Sequence, residues 1–207
     1  MKVFVYGGSE ILGEHILKRL DKKGHEAVTV VQTDNRAEAL EQLGNVEVII
    51  DGDDSFTRAL EDADAIIYIA SASPGTGEDQ DALVDADAVM ESLEEAQQQR
   101  IERIVYLSPV RLDESDESKK TGGKDKPEEW IKASDFVYTV IRTVKRVSMP
   151  GHGKVKVTDA PGEDEDEISF EDVAAVLVEV LDSENTFRKA FGVTTGKNDI
   201  KEVLDAL

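Results

Sequence analysis

The chain has 207 residues, no cysteine, 40% apolar and 33% charged residues, and a formal net charge of −21. That describes a soluble globular chain, expected to form one domain over residues 1–207 with a substantial core; it excludes disulfides, thiolate zinc centres and cysteine nucleophiles. Only His15, His25 and His152 supply imidazole, so no metal is expected, and the mean negative field opposes nucleic acid.

Strands and helices alternate in chain order. Lys2–Tyr6 reads as a β-rich run, and Gly7-Gly8-Ser9-Glu10-Ile11-Leu12-Gly13 as a tight turn. Helical spacing follows over His15–Lys23, broken by Gly24-His25, and Glu26–Val31 is a second strand. A helix over Arg36–Leu43 precedes a third strand, Val46–Ile50. Ser55 has the chemistry of an N-cap for Phe56–Leu60. Ala65–Ile69 (AIIYI) is almost continuously apolar, as suits a central parallel strand covered on both faces. Asp81–Gln99 is the longest helix candidate, with Leu83, Ala86, Met90, Leu93 and Ala96 on one stripe. Ile104–Leu107 and Val137–Ile141 are the fifth and sixth strands, separated by a polar loop and a short helix at Trp130-Ile131 that Pro127 opens. Beyond them come a small strand at Lys154–Val157, an acidic loop at Gly162–Glu167, and an amphipathic helix at Phe170–Leu181. A last strand at Arg188–Val193 and a closing helix at Ile200–Leu207 complete the chain. The expected architecture is α/β: a doubly wound, mostly parallel, Rossmann-like sheet with a small C-terminal extension and its ligand at the carboxyl ends of the strands.

Acidic residues are spread from Asp21 to Asp205 rather than gathered in a tail. This is the pattern of a solvated acidic surface, and high intracellular salt and ordinary solubility both accommodate it. No apolar run approaches the roughly 18 residues of a membrane span. The expected location is cytoplasmic.

The opening strand, glycine turn, helix and strand form the first unit of a dinucleotide-binding βαβ. Such a turn needs glycine where the chain reverses, where main chain nears the pyrophosphate, and where the helix packs on the strand. Gly7 and Gly13 fill the first and third roles, and Glu10 stands in the second. A carboxylate facing a pyrophosphate costs on the order of 1 kcal/mol when solvated, and more when dry. If Glu10 points outward, the amides of Ser9–Leu12 and the helix dipole are left to hold the phosphates.

These segments together resemble an atypical short-chain dehydrogenase/reductase of the NmrA-like, NAD(P)-binding kind, with flavin-reductase-like and epimerase-like members. The resemblance rests on the Gly7–Gly13 turn, Asp51-Gly52-Asp53, Ala70-Ser71-Ala72, Val84-Asp85 and Ile104–Ser108. It continues through Tyr138–Arg142 and Ile168–Ala174 and spans nearly the full length. It implies cofactor contacts from Gly7, Gly8, Ser9, Glu10, Ile11, Leu12, Gly13, Gln32, Arg36, Asp53, Ala70, Ser71, Ala72 and Leu107. NADP-binding relatives carry an arginine at the position of Gln32 and a second basic residue near Arg36; an acid in the place of Asp34 serves NAD. The cofactor is NADP or NAD, with a slight lean to NADP on Arg36.

The resemblance also implies a catalytic serine, tyrosine and lysine, the tyrosine donating a proton to substrate oxygen while hydride arrives from nicotinamide. Ser108 lies near the serine position and Lys124 matches the lysine, but Lys120 stands where the tyrosine belongs. The Tyr-x-x-x-Lys pair is therefore absent. His152, between Gly151 and Gly153, is a second candidate proton source, with a surface histidine as its plainer reading. The functional expectation is an NAD(P)-binding oxidoreductase of a small organic or flavin-type acceptor; the alternative is a non-catalytic NmrA-like dinucleotide sensor, and a decayed site is the third reading. A small-molecule substrate, no membrane partner, and a monomer or homodimer are expected.

Overall fold

The computed structural model describes residues 1–8, 11–69, 86–108, 126–159 and 167–207. Among these residues the main sheet has nine strands in the order β11-β8-β10-β6-β5-β4-β1-β2-β3. The six strands of the doubly wound core are β1 (Lys2–Tyr6), β2 (Glu26–Val31), β3 (Val46–Ile50), β4 (Ala65–Ile69), β5 (Arg103–Leu107) and β6 (Val137–Thr143). All are parallel to their neighbours, and β10 (Lys189–Thr195) extends them in parallel beside β6. The C-terminal part does not stand apart from this sheet. β8 (Lys154–Thr158) runs antiparallel along β10, and β11 (Asn198–Asp199) closes the edge. A second, two-stranded sheet pairs β7 (Arg146–Val147) with β9 (Ile168–Ser169).

Period-two alternation sorts the side chains of the central strands to two cores. Val3, Val5, Ala65, Ile67, Ile69, Val105 and Leu107 face helices α1 (Ile11–Lys22), α2 (Asp34–Glu41), α6 (Phe170–Glu179) and α7 (Ile200–Asp205). Phe4, Ile66, Tyr68, Ile104 and Tyr106 face α3 (Ser55–Leu60), α4 (Ala86–Gln98) and α5 (Lys126–Ala133). β4 and β5 are buried along their whole length; β4 is an unbroken apolar run, and β5 is one behind its leading Arg103. Tyr68 and Tyr106 are core residues; the Tyr68 hydroxyl meets Ser92 Oγ at 3.0 Å, and burial pushes its pKa far up.

Several boundaries differ from expectation for identifiable reasons. α1 starts at Ile11, directly out of the glycine turn, and α2 starts at Asp34, so Arg36 lies within its first turn. Ser55 is not an N-cap. It is the first residue of α3, and its hydroxyl donates to Asp51 Oδ1 at 3.0 Å, while Asp54 holds the cap position with a left-handed φ of 63°. In α4, Val89 joins Leu93 and Ala96 in the core; the expected Leu83 lies outside the described residues, as does the acidic loop through residue 166. β5 begins at Arg103, whose guanidinium is buried and donates to the carbonyls of Val180 (2.6 Å) and Val137 (2.8 Å). Arg103 thereby caps the carboxyl end of α6, which stops at Glu179 rather than Leu181. The guanidinium also lies 4.6 Å from the centre of the Phe187 ring, and burial lowers its pKa to about 10.

Candidate functional site

Strand order reverses between β1 and β4, and their carboxyl ends define the crevice where an open α/β sheet takes its ligand. Gly7 follows β1 there with φ +87°, and a Cβ on it would press against Ile69 Cβ at 3.2 Å. Only glycine takes that turn without strain. A Cβ on Gly8 would lie 2.3 Å from Thr29 Oγ1, which donates to the Val5 carbonyl at 2.9 Å. A Cβ on Gly13 would meet the main chain of Gly8 at 2.5 Å. The turn is thus wedged between β4, β2 and α1 by three glycines, and Gly8 carries a packing requirement that the fingerprint spacing does not mark.

Ile11 and Leu12 open α1, Ile11 being 54% exposed and Leu12 buried. Their amides are among the N-terminal donors that lack intrahelical partners, and the helix dipole adds positive potential there. Among the described residues, main-chain amides backed by close glycine contacts fit a pyrophosphate. Gly7, Gly8, Ile11 and Leu12 would hold it, and the bound nicotinamide would supply hydride chemistry. Ser9, Glu10, Ala70, Ser71, Ala72 and Lys124 lie outside the described residues.

At the next two strand ends, Gln32 and Asp34 are exposed after β2, and Asp53 is exposed after β3. Arg36 is not merely solvated: its NH2 group contacts Glu14 Oε1 of α1 at 2.7 Å, and Lys18 Nζ approaches the other Glu14 oxygen at 3.6 Å. Burial raises the Glu14 pKa, but Arg36 and Lys18 outweigh it and bring the group below the ordinary value.

Past β5 the structure assembles a cluster that sequence reasoning missed. Ser108 is buried and donates its hydroxyl to Glu128 Oε2 at 3.0 Å. Glu128, on α5, is also buried, and its other oxygen accepts from both Lys132 Nζ and Arg142 of β6. Burial alone would raise the Glu128 pKa; the Lys132 hydrogen bond, the Arg142 and Lys132 charges and the Ser108 hydroxyl hold it below the usual carboxylate value. The Ser108 proton is therefore committed to a carboxylate. The available signal was the i,i+4 spacing of Glu128 and Lys132; Arg142 comes into reach because β5 and β6 pair Leu107 with Ile141, one step before Ser108 and Arg142. Leu107 itself is fully buried in the core.

His152 belongs to a different part of the edge. Its Nδ1 accepts from the Lys154 amide at 3.2 Å, so Nε2 carries the proton toward Thr195 Oγ1 at 3.0 Å, at the end of β10. Strand spacing places β10 about 14 Å from β4. The 151–153 loop is clipped to α6: Gly151 N donates to Glu171 (3.0 Å), and His152 N and Gly153 N donate to Asp172 (3.2 and 2.7 Å). Ser169 caps the helix through the Asp172 amide at 2.9 Å. Among the described residues there is no cluster suited to a metal ion and no helix long and apolar enough to cross a membrane.

Strand order, glycine turn and amide cradle define a dinucleotide-binding, Rossmann-like domain. The chain belongs to the NAD(P)H-binding family, whose model matches residues 7–184. A curated relative, the "Uncharacterized sugar epimerase YhfK" of Bacillus subtilis (strain 168), is 28% identical over 216 residues, covering all of both chains. A solved structure named "Putative NAD-dependent epimerase/dehydratase", from Bacillus halodurans, is 27% identical with full coverage of both chains and a TM-score of 0.87. The oxidoreductase ylbE of Lactococcus lactis shares the fold at 20% identity, with 100% of this chain and 96% of that one covered and a TM-score of 0.77.

Proposed function

We propose that the protein is an NAD(P)-dependent oxidoreductase that reduces a small organic or flavin-type acceptor without a Tyr-x-x-x-Lys pair. The observation that carries this reading is the glycine turn lodged at the β1–β4 reversal, with main-chain amides at the start of α1 and no side chain available at Gly7, Gly8 or Gly13 to block approach. The NAD(P)H-binding family match supports a nicotinamide-dependent reaction, and two relatives carry the word epimerase in their names. Ser108 and Lys124 are the residues proposed to face the acceptor, and NADP or NAD the cofactor.

One observation favours the second reading, a dinucleotide sensor without turnover. Ser108 already gives its proton to a carboxylate that two cations keep ionised, so it has none to offer a substrate carbonyl. It can still accept a hydrogen bond from a substrate hydroxyl. The decisive experiment pairs a thermal shift with turnover. At a hundredfold excess over its dissociation constant, NADH or NADPH stabilises the fold by about 2.7 kcal/mol. Oxidation of bound NAD(P)H by FMN, menadione or a simple aldehyde marks the oxidoreductase; a shift with no oxidation marks the sensor. No shift with any dinucleotide refutes both.

A further inference from the structure

We infer that Glu14 sets the cofactor selectivity of this site by engaging Arg36, so that NADH and NADPH bind with comparable affinity. The inference rests on the dinucleotide reading. Two nicotinamide cofactors differ by one phosphate on the adenosine ribose, and an arginine beyond β2 is the group that accommodates it. Arg36 occupies the first turn of α2, immediately past the β2 end. Its guanidinium, however, reaches back across to α1 and contacts Glu14 Oε1 at 2.7 Å. Glu14 directly follows Gly13 in the first turn of α1, whose amino-end amides would hold a pyrophosphate. The carboxylate thus occupies the guanidinium before any phosphate arrives, and it places a negative charge beside the position a second negative charge would take.

Lys18 makes the arrangement reversible. It approaches the other Glu14 oxygen at 3.6 Å, one helical turn on. When a 2′-phosphate draws Arg36 away, Glu14 keeps one cation, and the exchange costs less than outright loss of an ion pair. The Arg36 and Glu14 side chains are 31% and 32% exposed, so solvent moderates each contact and the pair can open. Gln32, which adds no charge, leaves Arg36 to carry the discrimination, and exposed Asp34 opposes the phosphate as Glu14 does.

The test is a fluorescence titration of NADH and NADPH onto the full chain, three single variants and one double variant. Glu14→Gln keeps the size of the side chain and removes its charge; NADPH affinity rises about fivefold while NADH changes by less than twofold. Lys18→Met acts with the opposite sign, because Glu14 then holds Arg36 harder, and NADPH weakens while NADH does not. Arg36→Ala lowers NADPH affinity and abolishes the gain from Glu14→Gln when the two are combined. A merely structural ion pair would move both cofactors together. Equal changes for the two, or none, overturn the proposal while leaving dinucleotide binding intact. If the unaltered protein binds neither NADH nor NADPH, the dinucleotide reading falls and the proposal falls with it.

Discussion

Replacing Gly8 by alanine tests how tightly the glycine turn is built. The added methyl would lie 2.3 Å from Thr29 Oγ1, 3.0 Å from Thr29 Cβ and 3.4 Å from the Val5 carbonyl. Thr29 is fully buried in β2 and cannot yield without breaking its 2.9 Å hydrogen bond to Val5, its register partner. Overpacking costs about 1–3 kcal/mol, and the displaced buried hydroxyl adds roughly 1 kcal/mol. Gly8→Ala should therefore destabilise by about 2–4 kcal/mol, and each kcal/mol lowers Tm by roughly 2–4 °C in a chain of this size. Thr29→Ala alone costs about 1–2 kcal/mol. Combined, the two should cost at least 1 kcal/mol less than their sum, because the alanine at position 29 removes the oxygen that the new methyl strikes. Urea unfolding followed through Trp130, half-buried against Phe136 in the opposite core, reads the global transition. A double variant whose cost equals the sum of the single costs within about 0.5 kcal/mol refutes the steric account.

Three further outcomes are expected. Glu128→Gln leaves Arg142 and Lys132 facing a neutral amide and should destabilise by roughly 2–3 kcal/mol at pH 7. Since the folded state lowers the Glu128 pKa, its contribution is complete above the ordinary carboxylate value and lost as pH falls through the folded one; the gap between the two proteins in urea midpoints should close on acidification below the ordinary value of 4.5. Burial lowers the His25 pKa, aided by the charges of the chain's amino group and Lys23 and opposed by Asp182, so the fold prefers neutral imidazole and loses stability as pH drops below about 6.5. His25→Asn should flatten the stability profile between pH 7 and 5 in thermal scans. Asp172→Ala removes the acceptor of the His152 and Gly153 amides and of the Ser169 hydroxyl; hydrogen exchange at 152–153 should accelerate while exchange in β4 and β5 stays slow.

Amino-acid pattern was most informative where one physical signal acts alone. β1, β2, β3 and β4 have the expected bounds, because parallel strands here are short β-branched, largely apolar runs between turn residues, even at the exposed edge strand β3. The helix ends were less legible, since they depend on partners far along the chain. α6 stops where Arg103, 77 positions away in sequence, takes the Val180 carbonyl, and α3 starts where Ser55 turns to Asp51. The two-residue strands β7, β9 and β11 have no period to read.

The site divides along the same line. Gly7 and Gly13 follow from spacing, as a left-handed φ and a close helix approach leave few residue choices. The need for glycine at position 8 arises from a threonine on another strand. Arg36 is visible in the sequence, but its attachment to Glu14 comes from α1 and α2 covering the same face of the sheet. Ser108 was recognised by position, whereas its proton's destination follows from α5 and β6 converging on Glu128. Local pattern thus determines a nucleotide-binding α/β sheet and where its cradle lies. The charge and hydrogen-bond state of the groups around that cradle is decided by tertiary structure, because an ion pair depends on distance in space and the sequence records only distance along the chain.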